Sequence, residues 1–210
     1  MAFTSFKNTD DVVKKYRLYI RNGVVMPPAT DSPPFSPAFL AELDFNLTYL
    51  RPTRSETGAG EVLVFPILRE VWKTYYETLT LITHEALDCD ADLCGFPDYY
   101  VCRLSKHGRL LEVPYLLVAE AKLDDFEKAW GQCLAAMLAA QKLNGTPAIP
   151  VYGMATNGRA WEFGVLTRDE FTRQFESYGL SDPDALAAQL HAVFRACRDQ
   201  AVAYQPAAAA

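Results

Sequence analysis

The stretch VPYLLVAEAK, residues 113–122, constrains the fold more than any other part of the chain. Its first seven positions are continuously apolar, the pattern of a central strand buried on both faces, and such strands occur where helices cover both sides of a sheet. Successive side chains alternate along a strand, so Glu120 and Lys122 emerge on one face while Ala119 and Ala121 point to the other. A carboxylate and an ammonium at the end of such a strand are costly unless they are paired, solvated at a cleft or bound to metal.

The neighbouring segments supply the rest of a mixed α/β (α+β) fold. SETGAGEVLVFPILREVWKTYYETL, from Ser55, is expected to form one long helix capped by Ser55, with Val62, Phe65, Leu68, Val71 or Trp72, and Tyr75 at helical spacing. Pro66 kinks that helix or marks a restart. LTLITHEAL and PDYYVCRLS read as strands ahead of VPYLLVAEAK. DDFEKAWGQCLAAMLAAQKLNG reads as a helix with Asn144-Gly145 as its stop. PAIPVYGMAT and RAWEFGVLT flank Asn157-Gly158, a strong hairpin signal. The expected order is αβββαββ around a central mixed sheet of about five strands.

At 210 residues and half apolar, the chain has the size of one domain with a substantial core. We divide residues 1–204 into an N-terminal extension with a Pro-rich connector (1–54), a core (55–166) and a closing helix (181–204), with the final alanines frayed. In the extension, DDVVKKYRLYI suggests a short helix with Val12, Tyr16 and Tyr19 or Ile20 on one face. MPPATDSPPFSP carries five of the thirteen prolines and reads as a semi-rigid connector.

A net charge of -6 argues against a surface that is wholly a nucleic-acid footprint, so any such contact must be local or shared with a partner. Arg51, Arg54, Lys106, His107 and Arg109 could form a local basic rim. No apolar run is long enough to span a bilayer and the first residues are unlike a secretory signal, so a cytoplasmic protein with no membrane contact is expected. Five cysteines without CxxC spacing point to reduced, mostly buried thiols. No Gly-rich phosphate loop, GxSxG elbow or HExxH is present.

The tripeptide Glu120-Ala121-Lys122 carries little weight alone, because eight lysines in a chain with 26 acids should give roughly one acid-x-Lys by chance, and there is one. Context raises it: the match ends the most apolar strand, after a strand that opens with Pro97-Asp98 and before a helix. Through FPDYYV, LLVAEAK and this element order, residues 55 to 166 resemble the PD-(D/E)XK nuclease superfamily, with its restriction endonuclease-like core. SETGAGEVLVFPIL also resembles the first helix of predicted nucleases related to the N-terminal domain of type I restriction motor subunits.

The resemblance implies a Mg²⁺-dependent nuclease, with Mn²⁺ as a substitute, that hydrolyses phosphodiester bonds, of DNA rather than RNA, in restriction, defence or repair. Asp98, Glu120 and the backbone carbonyl of Ala121 would hold the metal, and Glu56, or Glu61 in its place, would reach it directly or through water. Lys122 would orient or help deprotonate a water. Gln132 resembles a helix glutamine that some members aim at the site. A partner subunit or a homodimer is compatible with this reading.

Plainer readings exist for each residue. Glu120 and Lys122 could be a solvated strand-end ion pair, Asp98 a turn residue, and Glu56 an ordinary first-turn acid complementing the helix dipole. Tyr75-Tyr76 and Tyr99-Tyr100 suit half-buried packing better than base stacking, and His84, Cys89, Cys94 and Cys102 suit packing better than a metal or iron-sulfur cluster. The competing function is a catalytically inactive descendant of the fold that serves as a binding or assembly module.

Overall fold

The computed structural model describes residues 3–108 and 110–205. The core follows the anticipated order. A helical segment, interrupted as described below, runs through α3 (Glu56–Ala59) and α4 (Phe65–Trp72), with α1 and α2 in the N-terminal region before it. The strands β2 (Leu79–Thr83), β3 (Tyr99–Arg103) and β4 (Glu112–Ala121) come next, where β1 belongs to the N-terminal region. They are followed by α5 (Phe126–Leu143), β5 (Val151–Thr156) and β6 (Ala160–Thr167). The chain closes with β7 (Glu170–Gln174), the short β8 (Tyr178–Gly179) and α6 (Pro183–Ala203).

The sheet is larger than the five strands anticipated. Its order is β1-β7-β6-β5-β4-β3-β2, with β8 also pairing β6, and β1 spans Tyr19–Gly23. The pairs β1–β7 and β4–β5 are parallel and the others antiparallel. The extra strands come from outside residues 55–166, so the sheet draws on both ends of the chain.

Two predicted elements need correction. DDVVKKYRLYI is not one helix: α1 covers Thr9–Tyr16, capped by Asn8, and ends at Arg17 in the left-handed conformation (φ 56°). Tyr19 and Ile20 then lie in β1 with exposed side chains. Helical spacing described this segment as well as strand spacing did, and pairing with β7 decided between them. The Pro-rich connector leads into an unanticipated helix, since Ser36 caps α2 (Pro37–Tyr49), which has Pro37 in its first turn.

The long helix from Ser55 is capped by Ser55 as anticipated but changes pitch. Gly60–Val64 forms a π-helical turn between α3 and α4, and α4 stops at Trp72. Pro66 has no N–H to offer the carbonyl of Val62 four residues earlier. The Asn46 side chain of α2 supplies the missing donor at 2.9 Å, so α2 repairs the break that the proline causes.

Helices cover both faces. Leu117, Ala119 and Ala121 of β4 join a core with α4, α6 and α2, while Val118 joins a second core under α5 and α1. Residues Ala129 to Gln141 of α5 are buried on every side, since its outer face lies beneath the N-terminal segment. A Cβ at Gly131 would come within 2.8 Å of the Asn8 backbone, so glycine allows that close approach. No helix of the described residues is long and apolar enough to cross a membrane.

Asn144, the anticipated helix stop, also ties α5 to β4. Its side chain accepts from the Tyr115 N–H at 2.7 Å and donates to the Tyr115 carbonyl at 2.8 Å, beside a register shift in the β3–β4 ladder. Asn144→Ala is expected to destabilise the protein by about 1–3 kcal/mol for each backbone group it strands. Asn144→Asp keeps the acceptor alone, so urea unfolding should place it between the alanine variant and the parent.

Candidate functional site

The site forms where β3 begins and β4 ends. Tyr99 pairs with Ala119 in the antiparallel ladder, so Asp98, one residue earlier, stands across from Glu120. Both side chains lie on the α5 side of the sheet by alternation from Val118. Like charges directly opposite in a sheet repel, and one of these carboxylates has almost no access to water. Glu120 is only 4 % exposed.

Asp98 is held by the backbone that it faces, accepting from the Ala121 N–H at 2.8 Å. Glu120 accepts from the Asp98 backbone in turn, which does not offset its burial. Burial, then the adjacent Asp98 charge, push its carboxyl well above the usual carboxylate range despite the opposing pull of Lys122, and a side-chain hydrogen bond with Asp98 pushes the same way.

Lys122 extends the same face just past β4, where its N–H donates to the Thr156 carbonyl of β5 at 2.9 Å. Its Nζ lies 3.2 Å from Glu56 Oε2 and donates to the Ala121 carbonyl at 3.1 Å. Burial lowers its proton affinity, but Asp98, Glu120 and Glu56 together outweigh that loss and raise its pKa. The lysine is therefore an ammonium in this arrangement, suited to orient a nucleophile or neutralise an oxyanion rather than to accept a proton.

Glu56 reaches the site from the first turn of α3, behind the Ser55 cap. Glu61, the substitute, is exposed on the π turn and does not line the small cavity beside Asp98. That cavity, of about 100 Å³, is walled by Glu56, Thr57, Gly60, His84, Asp98, Tyr99 and Ala121. Glu120 and Lys122 do not line it. A cavity of about 560 Å³ opens elsewhere, around Arg103, Lys106, His107 and Glu112, and holds none of these groups.

His84 was assigned to a strand and to core packing, and both assignments are wrong. It follows β2, adopts a left-handed conformation (φ 52°), donates its N–H to the Asp98 carbonyl at 3.1 Å and exposes its ring. Its Nδ1 lies 3.9 Å from Asp98 Oδ1. No local pattern marks it. Its place follows from β2 pairing with β3, which sets Thr83 opposite Tyr99 and the next residue beside Asp98.

Gln132 is not brought to the cavity. It is buried on α5 and does not line the space beside Asp98. The basic rim also divides. Arg51 and Arg54 precede Glu56 directly, whereas Lys106 and His107 follow β3 at the far end from Asp98, and Arg109 lies outside the described residues. Tyr75, Tyr99 and Tyr100 are buried, as packing requires; Tyr76 is exposed.

Among the described residues no three His, Cys, Asp or Glu side chains cluster as a ready metal cage. Lys122 instead pairs with Glu56 and donates to the Ala121 carbonyl. The donor set nonetheless suits a hard cation. Three carboxyl groups face one ammonium, and burial beside Asp98 raises the proton affinity of Glu120. Comparison of the chain with family models and with curated proteins finds no match to either.

The raised Glu120 pKa sets the sign of a pH effect. The folded state holds this proton more tightly than the unfolded chain, so its stabilising contribution is complete below the unfolded value and lost as pH rises toward the folded one. In EDTA, parent stability should fall with a slope of up to about 1.4 kcal/mol per pH unit above the ordinary carboxylate range. Glu120→Gln should flatten that slope and melt higher than the parent at pH 8, read from thermal melts between pH 5 and 9.

Proposed function

We propose that the chain is a Mg²⁺-dependent nuclease of the PD-(D/E)XK type, with a restriction endonuclease-like core, acting on DNA rather than RNA in restriction, defence or repair. The observation that carries this reading is the register that sets Asp98 across from Glu120, with Lys122 two residues further on the same face and Glu56 arriving from α3. Two carboxylates and a lysine converging at a sheet end, with no packing reason to meet there, fit metal-assisted phosphodiester hydrolysis.

Asp98, Glu120 and the Ala121 carbonyl would hold the metal, with Glu56 as a further ligand direct or through water. Mg²⁺, or Mn²⁺ in its place, would supply a Lewis acid that lowers the pKa of water and balances charge on the phosphate. As a ligand Glu120 would be ionised, its proton passing to solvent water. Lys122 exchanges its hold on Glu56 and the Ala121 carbonyl for the attacking water or a phosphate oxygen, which it orients as an ammonium. Asp98 stays aligned through the Ala121 N–H. The surplus acid of the whole chain favours a partner subunit or a second copy to complete the nucleic-acid surface.

A binding or assembly module that has lost catalysis is the second reading. It is favoured by the closed Lys122–Glu56 pair, which keeps these carboxylates from forming a cage. The two readings separate in one assay with single-stranded and duplex DNA and RNA in Mg²⁺, Mn²⁺ or EDTA. Cleavage that requires metal and falls at least about 100-fold in both Asp98→Ala and Lys122→Ala supports the nuclease. Metal binding by calorimetry without cleavage of any substrate would leave the module.

A further inference from the structure

Helix α2 carries a surface that nothing in the core explains. Phe45 and Tyr49, one turn apart, are 55 % and 68 % exposed, and their ring centroids lie 4.8 Å apart in a tilted pair. Leu50 beside them is half exposed. The opposite side of α2 is fully occupied: Phe39 and Leu43 are buried, and Asn46 holds the Val62 carbonyl. Packing therefore fixes α2 in place and leaves the two rings facing water.

The residues that follow continue this surface toward the candidate site. Arg51, in a left-handed conformation (φ 47°), turns the chain into Pro52–Arg54, Ser55 caps α3, and Glu56 is next. Neither Arg51 nor Arg54 forms an ion pair among the described residues, whereas Arg21, Arg103, Arg173, Arg195 and Arg198 are paired. A stretch of seven residues spans at most about 25 Å, and the 3-10 turn shortens it. Tyr49 is thus within a few nucleotides of Glu56, with two unspent cations between them.

We propose that α2 and the turn after it bind single-stranded nucleic acid and lead it to the carboxylate site, Phe45 and Tyr49 stacking on unpaired bases and Arg51 and Arg54 contacting phosphates. The proposal rests on the nuclease reading for the destination of the strand but not for its binding. Exposed rings favour unpaired bases, because a duplex hides its base faces, and stacking tolerates any sequence. Glu42 and Asp44 on the same helix hold the local charge down. Stacking rather than charge then supplies most of the affinity. Two phosphate contacts imply a shallow salt dependence, with log affinity falling at a slope of about -1.4 against log salt.

The test is fluorescence anisotropy of a labelled oligothymidylate, and of a duplex of equal length, with the full chain in EDTA so that nothing is cut. Single-strand binding tighter than duplex binding is expected. Phe45→Ala and Tyr49→Ala should each weaken it by about fivefold or more, Phe45→Leu should not rescue it, and Arg51→Ala with Arg54→Ala should flatten the salt slope. All four residues are at the surface, so melting temperatures close to the parent's confirm intact folds. No single-strand binding, or binding unchanged in both ring variants, overturns the proposal. So does a change of oligomeric state in the ring variants with nucleic-acid binding preserved, which would make this face a contact between copies. Ring-dependent binding without cleavage in Mg²⁺ would sink the nuclease reading and leave the strand-binding face standing. Cleavage that ignores the rings would do the reverse.

Discussion

The structure depends on burying β4 on both faces. An apolar strand with helices above and below can end in charged residues only if those charges meet partners at the sheet's edge of depth, and here they meet one another. Asp98 and Glu120 face across the β3–β4 ladder, Lys122 closes over the end, and Glu56 arrives from a helix capped at Ser55. The resulting excess of negative charge is the main electrostatic liability of the fold. Burial and the Asp98 charge accordingly raise the proton affinity of Glu120.

Much else serves to hold that strand end still. Asn157 donates to the Leu123 carbonyl at 3.3 Å, fixing the turn that leaves β4, and Thr156 bonds both Gly158 and Ala160 in the facing hairpin. On the far side of the sheet, the Tyr99 hydroxyl lies 2.9 Å from where a Cβ of Gly60 would stand, so a side chain there would displace either the helix or the ring. The π turn beside Gly60 remains in place because α2 satisfies the carbonyl that Pro66 leaves open. The N-terminal region is thus part of the support of the site rather than an appendage.

Local signals made several elements legible. Continuous apolarity identified β4, Asn144-Gly145 ended α5, Asn157-Gly158 turned β5 into β6, and Ser55 capped α3. In each case the physical cause lies within a few residues: alternation, a left-handed glycine, a side chain that reaches its own backbone. Where the cause was distant, reading failed. β1 had a helical pattern and became a strand because β7 offers it a ladder, and α2 was hidden by the prolines before it although Ser36-Pro37 is itself a helix start. β7 and β8 are short and gain their order from β6.

The site divides in the same way. The sequence by itself determined that Glu120 and Lys122 share a face at the end of a buried strand, since that follows from the two-residue period of any strand. It also supplied Asp98 and Glu56 as candidates. Only the tertiary structure decided that Asp98 faces Glu120, that Glu56 rather than Glu61 reaches Lys122, that Gln132 is buried on α5 without lining the cavity, and that His84 stands beside Asp98. Those outcomes turn on register and helix pitch. A shift of one residue in a ladder moves every side chain to the other face, and that choice is made by packing across the whole sheet.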